Sequence, residues 1–132
     1  MANSLIFLIV VQSNYIIHQP TGVRVVGIMA MVRNSIGAEC YVADEIIESR
    51  AGTRVRVFNT DAEGRMIMAD PLCFMKERAL TAVNPRLFTI ATLTGHVGRC
   101  YGDGYSAIMD NGPARKAGIH RRLSENGRSR VY

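Results

Sequence analysis

The chain has 132 residues, the length of one ordinary domain, and 48% of them are hydrophobic, which argues against wholesale disorder. It has no tryptophan and only 7% aromatic residues, so platforms for stacking nucleic-acid bases are scarce. The net charge of +5 lies entirely in residues 111–132, because the first 110 residues hold ten basic and ten acidic side chains. Such a basic tail is more often a solvated helix face than a nucleic-acid site.

The first half of the chain predicts three strands. Residues 5–11 form an unbroken apolar run, far below the roughly 20 residues of a transmembrane helix, and indicate a buried strand. A second buried strand is predicted over residues 23–32. Residues 41–49 suit either a loop or a short strand. Alternating valines and arginines then predict a half-exposed strand over residues 53–58.

The heptapeptide NTDAEGR, residues 59–65, follows that strand and has two interpretations. Thr60 and Glu63 have the spacing of a capping box, in which each side chain accepts from the other residue's backbone N–H at a helix start. Alternatively, the carboxylates of Asp61 and Glu63 share a divalent cation, and Arg65 neutralises a nearby oxyanion. From the pattern alone the cap is the commoner of the two, since helix starts outnumber metal sites.

A helix is predicted after the heptapeptide. Met68, Leu72, Met75 and Ala79 recur at helical spacing and predict a stripe that packs into the core. Pro71 lies inside this helix, where it removes one backbone hydrogen bond and is expected to kink the axis.

The remaining residues predict two more strands and a last helix. A buried strand is predicted over residues 87–93 and another strand over 105–109. The last helix opens at Asn111–Pro113, with Gly127 just past its end. Strands that alternate with helices predict an α/β fold with a mostly parallel sheet flanked by helices. Sites in such sheets form at the carboxyl ends of strands, so the heptapeptide and residues 92–95 are expected to face one cleft.

The cysteines and histidines are scattered along the chain. Three widely spaced cysteines predict neither a disulfide framework nor a thiolate zinc site, and favour a reducing, cytoplasmic compartment. None of the three histidines lies at metal-ligand spacing from another, so each is expected to be an ordinary surface or core residue.

The heptapeptide is identical to the signature of the leucine aminopeptidase (cytosol aminopeptidase) family, and four other stretches resemble the sequence that flanks it in animal members. These stretches are Arg24–Gly27, Asn34–Ser35, Ser49–Thr53 and Ala91–Gly95. The resemblance covers residues 22–118 and concerns the C-terminal catalytic domain. It implies three parts: an unrecognised segment over residues 1–21, a partial catalytic domain over 22–118, and a basic tail over 119–132.

The resemblance assigns roles to six residues. Asp61 and Glu63 would be ligands of two divalent metal ions, zinc or manganese, which bind the substrate amine, polarise the scissile carbonyl and supply a hydroxide. Arg65 would hold a bicarbonate ion that acts as general base, because its planar guanidinium suits a carboxylate-like anion. Thr92, Leu93 and Gly95 would line the cleft for a peptide substrate. The implied reaction releases an N-terminal residue, often leucine.

The family's metal centre also requires two lysines and two further aspartates upstream of the signature. No Asp, Glu or Lys precedes Asn34, so we expect a truncated metalloaminopeptidase that is inactive alone. The family forms hexamers, so a homo-oligomer is expected, with no membrane partner. One alternative is a non-catalytic fragment that associates with full-length subunits. Another, less favoured, is a nucleic-acid binder that uses the arginines of residues 115–130.

Overall fold

The computed structural model describes residues 4–10, 23–32, 36–91 and 94–128. The chain divides into two compact units, Met1–Leu93 and Thr94–Tyr132. The mixture of helices and strands agrees with an α/β class, and the two units differ in kind. All the described strands lie in the first unit, whereas the described part of the second is helical with connecting loops.

Two separate sheets form in the first unit. The described strands are β1 (Ser4–Val10), β2 (Val23–Met29), β3 (Ile46–Glu48), β4 (Arg54–Arg56) and β5 (Arg86–Ile90). β1 is the middle strand of a three-stranded sheet and pairs in parallel with β2 on one side and β5 on the other. β3 and β4 form an antiparallel hairpin. The strand before the heptapeptide therefore belongs to the hairpin and not to the parallel sheet, contrary to the geometry assumed from sequence.

Helix α1 (Glu63–Ala79) supplies the core of the first unit. The predicted stripe is confirmed, since Met75 is fully buried at the centre of the cluster. The side chains packed against it come from β2 (Val26, Ile28), α1 itself (Met68, Leu72, Ala79), the turn after α1 (Ala82) and β5 (Leu87). Burying a methionine side chain contributes roughly 1.5–3 kcal/mol. The same packing fixes the start of α1, where the heptapeptide lies.

Pro71 lies in the middle of α1, and the helix continues through it to Ala79. A proline inside a helix removes one backbone hydrogen bond at a cost of about 3 kcal/mol. Leu72 and Met75, on the same stretch of helix, pack into the core. Burial of these side chains offsets the local cost, so tertiary packing outweighs the helix-breaking tendency of Pro71.

Three helices occupy the described part of the second unit: α2 (His96–Tyr101), α3 (Gly112–Lys116) and α4 (Ile119–Arg128). The predicted strand over residues 105–109 is wrong, since this segment has no regular structure. The prediction of a single last helix is also wrong, because α3 and α4 are separate helices. Gly118 has a φ of 64°, which ends α3 and redirects the chain into α4. Gly127 lies inside α4 instead of past its end. Among the described residues, no helix combines the length and apolar character needed to cross a bilayer.

Candidate metal half-site

The heptapeptide begins as one 3-10 turn, Thr60–Ala62, that leads directly into α1. Asn59 caps this turn: its backbone is extended, and its side-chain oxygen accepts from the Asp61 N–H at 3.0 Å. The predicted Thr60–Glu63 capping box is therefore replaced by an Asn59 cap. Glu63 is the first residue of α1 and not its third, so it does not occupy the position that a capping box requires.

The backbone that precedes the heptapeptide is tied to a tight turn near Asp44. Val57 is buried. Its carbonyl accepts from the Asp44 N–H at 2.7 Å, and its own N–H donates to the Glu45 carbonyl at 2.8 Å. Asp44 adopts a φ of 69°, a conformation that aspartate tolerates better than most residues. Its carboxylate pairs with Arg56 at 2.6 Å. These contacts fix where the chain leaves β4 and enters the heptapeptide.

Tyr41 reaches the heptapeptide from 19 residues upstream. Its hydroxyl donates a short hydrogen bond to the backbone carbonyl of Thr60. Burial raises the pKa of the Tyr41 phenol, and the negative charges of Glu63 and Asp61 raise this pKa further. Both carboxylates therefore act on the same phenol, which means that they occupy one neighbourhood at the start of α1.

Glu63 carries an orphaned polar atom. Within the described residues, its Oε2 is buried and has no hydrogen-bond partner. Leaving an acceptor buried in this way costs about 1–3 kcal/mol, and more if the group is charged. Buried carboxylates normally find a donor or a cation. A carboxylate oxygen in this state, close to the acidic Asp61, has the chemistry of a ligand for a hard or borderline divalent cation.

The other four predicted site residues follow Asp61 and Glu63 in the chain. Arg65 is exposed on the first turn of α1, two residues after Glu63. Thr92 and Leu93 lie outside the described residues. Gly95 belongs to the second unit, where it precedes α2 and accepts the Arg99 N–H at 3.1 Å. The structure thus brings Asp61, Glu63 and Arg65 together on one short segment, and the cleft predicted between this segment and residues 92–95 stays a prediction.

A two-metal centre needs more ligands than this segment provides. Within the described residues, no group of three or more His, Cys, Asp or Glu side chains could hold a metal ion. Asp61 and Glu63 fit the ligand chemistry of a divalent cation, and the unpartnered Glu63 oxygen is the observation that favours it. Asp61 and Glu63 are therefore two candidate ligands on one segment, and the two-metal centre itself stays a prediction.

Two contributors to the site were not assigned from sequence. Asn59 precedes a helical turn and belongs to a residue type that favours caps, so its role was detectable from the pattern. Tyr41 gave no such signal, because its contact with Thr60 spans 19 residues and depends on the fold of the β3–β4 hairpin. Long-range contacts of this kind have no local sequence signature.

Comparison with known proteins identifies the family. The family profile described as cytosol aminopeptidase family, catalytic domain, matches residues 8–129. The chain therefore belongs to the cytosol aminopeptidase family, which confirms the resemblance carried by the heptapeptide.

Curated relatives agree with this assignment. A protein of Caenorhabditis elegans named "Putative aminopeptidase" is 56% identical over 109 residues, which are 83% of this chain and 21% of the relative. The "Probable cytosol aminopeptidase" of Wigglesworthia glossinidia brevipalpis is 36% identical over 88 residues, 66% of this chain and 17% of the relative. The chain thus spans about a fifth of the length of the curated relatives it matches. No solved structure gave a significant match.

Proposed function

We propose that this chain supplies half of the two-metal site of an aminopeptidase, with Asp61 and Glu63 as cation ligands. The observation that carries the proposal is the buried Oε2 of Glu63, which has no hydrogen-bond partner among the described residues. A structural cap would leave that oxygen bonded to a backbone N–H. A bound cation would satisfy this acceptor, for which the described part of the chain supplies no donor.

Arg65 is the candidate for binding a small oxyanion, bicarbonate in the family. It is exposed and follows Glu63 by two residues on α1, so its guanidinium is accessible to an anion from solvent. A planar guanidinium donates two parallel hydrogen bonds to a carboxylate-like group, which a lysine could not do. Thr92, Leu93 and Gly95 remain the proposed lining of the substrate cleft.

The proposed reaction is hydrolysis of the first peptide bond of a peptide, with release of a leucine-type N-terminal residue. When bound, zinc or manganese ions polarise a carbonyl and lower the pKa of water. Asp61 and Glu63 would hold such ions through their carboxylate oxygens, and the anion on Arg65 would accept a proton. The three-stranded parallel sheet and α1 would form part of the family's catalytic domain, a mostly parallel sheet flanked by helices.

We propose that these 132 residues do not hydrolyse peptides by themselves. Two carboxylates from one segment do not complete a two-metal site, which needs several ligands to each ion. Completion would require ligands beyond those that the described residues bring together. A cytoplasmic location is also proposed, because Cys40, Cys73 and Cys100 are all free thiols.

Manganese binding tests the half-site. We expect the purified chain to bind Mn²⁺ weakly, and Glu63→Gln to abolish binding because it removes the charge and keeps the shape. Glu48→Gln, at an exposed position on β3, is the matched control and should bind as the wild type does. Free Mn²⁺ is measured by electron paramagnetic resonance during a titration. Equal binding by wild type and Glu63→Gln contradicts the proposal.

Hydrolysis of a leucine chromogenic substrate tests the second part. We expect no turnover above background with added Mn²⁺ or Zn²⁺. Robust turnover that Glu63→Ala abolishes would contradict the proposed inactivity while supporting the assignment of Glu63.

We further propose that the chain associates with other subunits of the family. β2 and β5 are the outer strands of the described parallel sheet, and Phe58, directly before the heptapeptide, is 86% exposed. Open sheet edges and large exposed apolar side chains favour association. Sedimentation velocity should show a species larger than 14.6 kDa, the mass of one chain. A concentration-independent monomer that also fails to co-purify with an intact homologue would contradict this.

A further inference from the structure

Tyr41 lies outside the heptapeptide and contacts the turn at its start. Its hydroxyl donates to the Thr60 carbonyl, and its side chain is half-buried. Thr60 opens the turn that carries Asp61, and Glu63 follows directly at the start of α1. The phenol therefore bonds the backbone immediately before both proposed ligands.

The turn that follows Tyr41 is itself fixed by hydrogen bonds. It is closed by a bond from the Val42 N–H to the Glu45 carboxylate at 2.9 Å. The same turn bonds Val57 through two backbone hydrogen bonds, and Val57 is buried. The segments that carry Tyr41 and the heptapeptide are therefore joined by the backbone hydrogen bonds of Val57. The Tyr41 hydroxyl adds a third hydrogen bond between them.

The direction of the hydrogen bond matters for the carboxylates. A phenol has one proton to donate, and Tyr41 gives it to the Thr60 carbonyl. That proton is consequently not donated to Glu63, whose Oε2 stays without a partner among the described residues. Tyr41 can therefore order the turn without occupying the Glu63 oxygen that a cation would need.

We propose that Tyr41 is a positioning residue of the Asp61–Glu63 half-site, a role that rests on the proposed function. Its hydroxyl fixes the Thr60 carbonyl and hence the 3-10 turn, which has weaker hydrogen-bond geometry than an α-helix and is easily distorted. Metal ligands must be held within about 0.5 Å of their productive positions. Outer contacts that orient ligands typically change metal affinity by about 10- to 100-fold.

Mn²⁺ titration of four variants tests this role. Tyr41→Phe removes only the hydroxyl, and we expect its Kd for Mn²⁺ to rise about tenfold. Tyr105→Phe makes the same chemical change at an exposed residue of the second unit and should bind as the wild type does. Leu87→Ala weakens the core around Met75 without touching the turn, so it controls for loss of stability. Glu63→Gln tests the half-site itself. All titrations are run where circular dichroism shows a folded chain.

A second measurement locates the ion. Substoichiometric Mn²⁺ should broaden the backbone amide NMR signals of Asp61 and Glu63 in the wild type, and less so in Tyr41→Phe at the same concentration. If Tyr41→Phe binds and broadens as the wild type does while Glu63→Gln does not bind, the positioning role is wrong and the half-site stands. If Leu87→Ala loses as much affinity as Tyr41→Phe, the role is general stability and the proposal is overturned. If Glu63→Gln binds like the wild type, the proposed function fails and the role of Tyr41 fails with it.

Discussion

The two units of the chain are stabilised in different ways. In the first, Ala30, Val57 and Met75 are buried, and α1 packs on the strands of the parallel sheet. In the second, none of the described helices has a buried residue. The first unit is therefore organised around a hydrophobic core, and the second, as far as it is described, is organised by local contacts.

Those local contacts are backbone hydrogen bonds of the helical turns, together with a few side chains that accept backbone N–H groups. Asn111 caps α3 by accepting the Ala114 N–H at 3.0 Å. Asp110 accepts the His120 N–H at 3.2 Å, and its carboxylate also lies 2.6 Å from the His120 ring nitrogen. Each cap typically contributes about 0.5–2 kcal/mol. A few polar side chains thus contribute to the order of this region, and the contribution of each can be tested by a single substitution.

The difference explains why the proposed ligands lie in the first unit. A cation site needs carboxylates that stay fixed when no ion is bound, since ordering them at binding costs affinity. The start of α1 is fixed by the Met75 core on one side and by the anchored hairpin on the other. The basic side chains of α3 and α4 have no comparable support, so they form a poor framework for chemistry.

Met75→Ala should give the largest loss of stability, and it tests whether the two units unfold separately. Removing a fully buried methionine leaves a cavity, and such changes cost about 2–5 kcal/mol. We expect the urea midpoint of NMR signals from the first unit to fall accordingly, while signals from α3 and α4 change much less. Met109→Ala, at a residue that is 94% exposed, is the control and should stay within about 0.5 kcal/mol of the wild type. An equal fall in both units would show that they share one cooperative core.

The same difference decided which elements were predictable from sequence. In the first unit, periodicity predicted the stripe on α1 and the strands at residues 5–11, 23–32, 53–58 and 87–93, because burial imposes a regular apolar spacing. In the second unit, the apolar run at 105–109 imitates a strand, but no described sheet strand pairs with it. The break at Gly118 depends on a positive φ that the pattern did not indicate.

The candidate site was predictable only in part. Asp61, Glu63 and Arg65 are adjacent in sequence, so their proximity needed no knowledge of the fold. Tyr41 is 19 residues from Thr60 in sequence, so its contact with the heptapeptide is visible only in the three-dimensional structure. Gly95 belongs to the second unit, and neither composition nor spacing fixes its relation to these residues.

Asp110→Ala should give an intermediate effect, confined to the second unit. Its carboxylate is 7% exposed and accepts from both the backbone and the ring of His120 at the start of α4. We expect a loss of about 1–2 kcal/mol, seen as faster hydrogen exchange of the α4 amides and lower helicity by circular dichroism. Asp110→Asn keeps one acceptor oxygen and should lose less. Unchanged exchange in Asp110→Ala would mean that α4 is held by something other than this cap.

Glu77→Gln should give the smallest effect, and it tests whether surface charge also matters in the first unit. Arg50 donates to both oxygens of Glu77 and also stacks over Phe74 at 5.3 Å, so it ties the turn before β4 to α1. The hydrogen bond from Arg50 lowers the pKa of Glu77 below its ordinary value of about 4.3. A lowered pKa in the folded state stabilises the fold above about pH 4.3, and this contribution disappears as the pH falls through the folded pKa.

The free energy of unfolding of wild type and Glu77→Gln, measured by urea denaturation from pH 7 to pH 3, gives the size of this contribution. The difference between them should be present at pH 7 and should shrink below about pH 4.3. Glutamine preserves the stacking of Arg50 on Phe74, so only the charge interaction changes. Because both side chains are about half exposed, the difference should also shrink in 1 M salt. A difference that is the same at pH 3 and pH 7 would assign the effect to side-chain packing and would contradict a contribution from the charge of Glu77.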